Sequence, residues 1–137
     1  MPPGTVPRMT ISTDAPTDTP AAAAHLTVGM ITFDTLDAVG LARWWARQTG
    51  GTVADDADGW FVVVRVPAGP MLAFQKVTDP TPGKNRVHLD LSAPDRDAWV
   101  ERLVADGATL VDRHEEGGFV WIVLADPDGN QFCVAQG

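Results

Sequence analysis

The sequence predicts an α+β protein built from two tandem βαβββ modules, and three observations carry that prediction. An order of strand, helix and further strands runs from about residue 26 to 77 and recurs from about 85 to 137. Three anchors then match in order between the halves: Phe33-Asp34 with Leu89-Asp90 at an offset of 56, Gly50 with Gly107 at 57, and Gly69 with Gly129 at 60. Between the anchors, apolar residues recur either at the two-residue period of a strand or at the longer period of a helix.

Each element has its own local cause. "LTVGMITFDT" alternates and is rich in β-formers, so it reads as the first strand. "DAVGLARWWARQTGG" sets Leu41, Trp44, Trp45 and Gln48 at helical spacing and ends on a double glycine, a helix stop. Trp44 and Trp45 are adjacent on that helix, which predicts that one of them is exposed or lies at a subunit contact. "TVADD" is a short second strand, and "GWFVVVRV" and "MLAFQKV" flank a Pro-Ala-Gly-Pro turn. After the linker "TDPTPGKN", "RVHLDLS" opens the second module as a strand. "PDRDAWVERLVADGA" follows as a helix with Trp99, Val100, Leu103 and Val104 inward, and "ATLVDRH", "FVWIVLAD" and "NQFCVAQ" complete it. Residues 1–24 are rich in Pro, Thr and Ala with few large apolar side chains, which predicts a mobile tail ahead of one domain spanning 25–137.

Composition removes several function classes. The net charge is -8 and only two lysines are present, Lys76 and Lys84, so phosphate backbones are repelled and nucleic acid is not an expected partner. No apolar run approaches the ~20 residues that cross a bilayer, so membrane insertion is not expected. The single cysteine, Cys133, excludes an internal disulfide, and no charged segment followed by an apolar one opens the chain; both fit a cytoplasmic protein.

The tandem repeat, the ending "ADPDGNQF" followed by Cys133, the strand "VHLDLS" leading into a helix, and "ARWWARQTGG" together resemble the glyoxalase, bleomycin-resistance and extradiol-dioxygenase (vicinal oxygen chelate) superfamily, in its small glyoxalase-like branch. The resemblance covers about Leu26 to Gly137 and implies two four-stranded sheets curled around a cavity with the helices outside. It also implies a homodimer. Metal enzymes of that superfamily place ligands on the first and last strands of each module. At those positions this chain has Met30 and Ala73 in the first module and Arg86 and Cys133 in the second. That set predicts no divalent metal and no other cofactor, since a fixed arginine charge stands where a cation would sit.

Strand alternation then fixes the rest of the cavity wall. With Met30, Ala73, Arg86 and Cys133 inward, the same faces carry Thr32, Asp34, Met71, Gln75, His88, Asp90, Gln131 and Ala135. The opposite faces carry Ile31, Phe33, Leu72, Phe74, Val87, Leu89, Phe132 and Val134, all apolar and suited to packing under the helices. His88 is either a structural histidine held by Asp90 or Asp34, or a ligand-bonding group or general acid/base with Asp90 as orienter. Arg86 is either a bidentate clamp for an oxygen-rich group or an internal ion pair with Asp34 or Asp90. Trp60 and Trp121 stack flat ligands or pack in the core. His114 in "HEE" reads as part of a solvated turn, and Cys133 as a small, weakly polar pocket wall. The functions in view are metal-free binding of an organic metabolite or antibiotic, and cofactor-independent isomerase, lyase or hydrolase chemistry on His88. A third is a metalloenzyme drawing atypical ligands from His88, Asp90, Asp34 and Cys133.

Overall fold

The computed structural model describes residues 25–137, so the expected tail lies outside the described residues. The first module comprises β1 (Met30–Thr35), α1 (Ala38–Thr49), β2 (Thr52–Asp55), a single 3-10 turn (Ala57–Gly59), β3 (Phe61–Arg65) and β4 (Met71–Lys76). The second comprises β5 (Asp90–Ala93), α2 (Arg96–Ala105), β6 (Thr109–Glu116), β7 (Phe119–Ala125) and β8 (Gln131–Gln136). Each module forms its own four-stranded mixed sheet, ordered β1-β4-β3-β2 and β5-β8-β7-β6, with the first strand parallel to the last and the other pairs antiparallel. The two-module α+β architecture expected from the repeat is therefore present, with the sheets open and not closed into a barrel.

Both helices start on an aspartate cap. The Asp37 carboxylate accepts from the Gly40 N–H at 3.0 Å, and Asp95 accepts from the Ala98 N–H at 3.1 Å. α1 ends at Gly50, whose φ of 66° is left-handed and open to glycine at little cost. Leu41, Ala42, Trp44 and Trp45 are all buried on α1, which corrects the expectation that one tryptophan faces outward. The physical reason is that α1 is covered on two sides: its own sheet packs under it, and the second module supplies Phe132, 5.0 Å from Trp45 and 6.1 Å from Trp44. One continuous core joins the modules, with Leu72 and Phe74 from the first and Leu103, Leu124, Phe132 and Val134 from the second.

Three further expectations shift. β5 begins at Asp90, so Arg86, Val87 and His88 precede the strand, and Val87 is 77% exposed where the alternation placed it under a helix. Val104, expected inward, is exposed, because α2 turns only Leu103 fully into the core.

The repeat offset also moves. The helix caps Asp37 and Asp95 are 58 positions apart, and Thr32 pairs with Ala73 as Asp90 pairs with Cys133. The counterpart of Met30 is thus His88 and not Arg86. Matching Phe33-Asp34 to Leu89-Asp90 paired similar residues two positions out of step; a shift of two leaves the alternation of faces along each strand unchanged.

Candidate functional site

The second sheet brings a polar row onto its open face. In the register, Asp90, Cys133, Val123 and Asp112 lie side by side across β5, β8, β7 and β6, with Ser92, Ala135, Trp121 and His114 in the next row. His88 sits just ahead of β5, with Nε2 3.3 Å from Asp90 Oδ1, so the pair expected from their spacing is formed. Cys133 is buried at the foot of this pair. Burial, and then the negative charge of Asp90, push its thiol above the ordinary range and hold it protonated.

Two adjoining concavities share His88 and Gln131. One, of about 320 Å³, lies between the modules and gathers Asp34, Arg86, His88 and Gln131 with Lys84 and Asn85. The other, of about 290 Å³, lies over the second sheet and gathers His88, Gln131, Cys133 and Trp121 with Lys84, Asp112 and His114. Six of the expected site residues are therefore brought together around His88. Gln75 and Trp60 line neither concavity; Trp60 is 59% exposed just ahead of β3, with the Lys76 ammonium 5.2 Å from its ring centroid. Among the described residues Arg86 makes no ion pair, so its guanidinium stands open to a ligand. A larger void of about 570 Å³ lies between Val66–Leu72 and Leu89–Pro94 against Trp99 and Leu103; its walls are mostly apolar and no histidine or basic side chain lines it.

The sequence reading missed two residues. His114 lies on β6, not in a turn: its ring stacks on Trp121 at 5.2 Å and 19°, and its Nε2 is 3.3 Å from Asp112 Oδ2. The Gly117-Gly118 hairpin was the available signal, since a two-residue turn there sets His114 opposite Trp121. Asn85 was read as linker. Its amide exchanges hydrogen bonds with the Gln131 backbone, donating at 2.9 Å and accepting at 2.8 Å, which ties the segment bearing Arg86 and His88 to the start of β8.

The turn before β8 fixes the site's position. Asp126, buried, accepts from the Asp128 and Asn130 N–H groups, the Asn130 amide and the Trp45 indole N–H at 3.0 Å. Burial raises its carboxyl above the usual range against the pull of these bonds. Thr35 also donates to Asp128 at 2.5 Å, so the first module grips the turn that launches Gln131 and Cys133.

Residues 30–135 match the family model described as a glyoxalase-like domain. The chain belongs to that family. No curated protein sequence matches this glyoxalase-like domain. Solved structures share its fold: a glyoxalase/bleomycin resistance protein/dioxygenase family enzyme from Burkholderia phytofirmans PsJN is 18% identical, covers 81% of this chain and 98% of its own, and has a TM-score of 0.70. A glyoxalase-related enzyme from Fulvimarina pelagi is 22% identical, with 81% and 88% covered and a TM-score of 0.66. A lactoylglutathione lyase from Agrobacterium tumefaciens is 17% identical, with 87% and 96% covered and a TM-score of 0.61. At these identities the likeness is one of fold, and the superfamily expected from the sequence is the one found. The superfamily's two-module metal set does not fit this glyoxalase-like domain, because Met30 and Ala73 give the first module no nitrogen, carboxylate or thiolate donor. Among the described residues, no helix is long and apolar enough to cross a membrane.

Proposed function

We propose that the protein binds a small organic molecule, a metabolite or antibiotic, in the paired concavities around His88, without the superfamily's two-module metal. The observation that carries this reading is convergence: His88 and Gln131 line both of two spaces of about 320 and 290 Å³, with Arg86 in the first and Cys133 in the second, at the lower end of the size range of small-ligand sites. Lys84 and Arg86 favour an anionic or oxygen-rich group at the mouth, and Trp121 with His114 offers a flat surface to a ring. Thermal-shift screening of the full, tag-free chain against small carboxylates and planar aromatic acids tests it. His88→Ala is expected to weaken the best hit about tenfold, or about 1.4 kcal/mol, and to leave the melting temperature close to that of the parent. Stabilisation by no member of such a set, or equal binding by His88→Ala, overturns the reading.

A second reading has one specific support, the 3.3 Å His88–Asp90 pair, which suits a base held by its orienter in a cofactor-independent isomerase, lyase or hydrolase. Consumption of the bound hit, lost in His88→Ala, would replace the first reading with this one. A homodimer belongs to the proposal on likeness alone, and sedimentation of the full chain tests it.

A further inference from the structure

The void of about 570 Å³ and the concavity of about 320 Å³ are two ends of one trench between the modules. β1 and β5 are both outer strands of their sheets, and among the described residues no strand joins them. Ile31–Asp34 and Arg86–Leu89 wall the smaller space, and Leu89–Pro94 continue along the void. Ile31 and Leu89 line both spaces and so form the waist of the trench. The two ends differ in chemistry. Lys84 and Arg86 give the smaller end two cations, with His88 beside them. The void has neither a basic side chain nor a histidine: the buried Leu72, Leu103 and Val134 and the half-buried Trp99 wall it, and its one ionisable group is Asp90. Pro67, Pro70 and Pro94 border it and hold their stretches of backbone stiff.

The geometry points to an amphiphilic organic anion as the occupant, with its carboxylate at Arg86 and Lys84 and an unbranched aliphatic chain that passes between Ile31 and Leu89 and ends in the void. This inference rests on the binding proposed around His88 and narrows its ligand to one chemical class. Charge sets the direction of the molecule. A carboxylate meets a bidentate partner in Arg86 at one end, whereas at the other it would meet apolar walls and the like charge of Asp90. The waist selects the rest, because two aliphatic side chains offer nothing to a polar group that has shed its water. Each CH₂ drawn past it leaves water for an apolar wall, a gain of roughly fourfold in affinity when burial is complete.

Calorimetric titration of the full, tag-free chain with butanoate, hexanoate, octanoate and decanoate, each below its micelle concentration, tests the trench. Affinity is expected to rise about two- to fourfold with every added CH₂. Decanedioate, whose second carboxylate would lie in the void, should bind about tenfold or more weakly than decanoate. Ala68 lies in the exposed turn that borders the void, so Ala68→Phe should narrow the void and flatten the series near the affinity of butanoate. Arg86→Gln should weaken all four acids about tenfold. A second measurement does not depend on how Ala68→Phe packs: ω-bromodecanoate should quench tryptophan fluorescence, and quench it less in Trp99→Phe. Acids that bind with no rise along the series overturn the trench and leave binding around His88 standing. A rise that survives in Ala68→Phe, together with quenching undiminished in Trp99→Phe, does the same. Binding by no acid, aliphatic or aromatic, overturns both readings.

Discussion

At the scale of single residues, Asp126 decides more than any side chain in the concavities. It is buried, and its two oxygens accept from the backbone of Asp128 and Asn130, from the Asn130 amide and from the Trp45 indole. Asp126→Asn replaces one acceptor with an N–H₂ group that faces donors, so it is expected to destabilise the protein by about 2 kcal/mol, measured by urea unfolding. Trp45→Phe keeps most of the apolar contact and removes one donor, so its expected cost is smaller, about 1 kcal/mol. The sequence made "DPDGNQF" visible as a family signature but not as a joint, because the partner, Trp45, lies 81 residues earlier in the chain. Cys133 was legible for the converse reason: strand alternation put it on the Asp90 face, where it lies. Arg86 was placed two positions out of register because similarity of residues, and not distance from the helix cap, set the match.

At the scale of elements, the contact between the ends of α1 and α2 was invisible in the sequence. Asp106, just past α2, takes hydrogen bonds from Arg47 at 3.1 Å and from Gln48, and its carbonyl accepts from the Trp44 indole at 2.7 Å. The hydrogen bond from Arg47 is the main reason the Asp106 carboxyl falls below its usual range. A carboxylate depressed in the folded state adds stability above the unfolded-state value, and this is lost as pH falls through the folded value. Arg47→Ala is therefore expected to lower the melting temperature slightly at neutral pH, with the gap to the parent closing in acid and narrowing at high salt, since the pair is solvent-facing. A gap that widens in acid would contradict this sign. The β6–β7 hairpin shows what local sequence does determine: Gly117 and Gly118, with φ of 58° and 83°, fit a tight turn that dictates the register from Glu116–Phe119 back to Asp112–Val123, beyond which a bulge shifts it by one residue to pair Leu110 with Leu124. β5 was overextended for an opposite reason. "RVHLDLS" alternates throughout, yet Asn85 ties the chain to Gln131 ahead of the sheet, and a tertiary hydrogen bond overrides a local pattern.

At the scale of the molecule, a duplicated sequence raises the question of whether the modules fold as two units or one. The sheets are hydrogen-bonded separately, which taken alone suggests two. The core argues otherwise: Trp44 and Trp45 of the first module pack edge-on to Phe132 of the second, and both indole N–H groups bond to second-module acceptors. A first module freed of its partner would expose two large indoles and two unpaired donors at once. Exposing such side chains costs on the order of 3–5 kcal/mol each, comparable with the whole stability of a domain this size. Urea unfolding is therefore expected to follow a single transition, with tryptophan fluorescence and far-ultraviolet circular dichroism coinciding at one midpoint. A fragment of residues 25–78 should show no cooperative transition of its own. Trp45→Ala should lower that single midpoint without splitting it. Two separated transitions in the parent chain would mean that each sheet carries enough of its own core, and that the α1 interface orients the site without being needed to fold it.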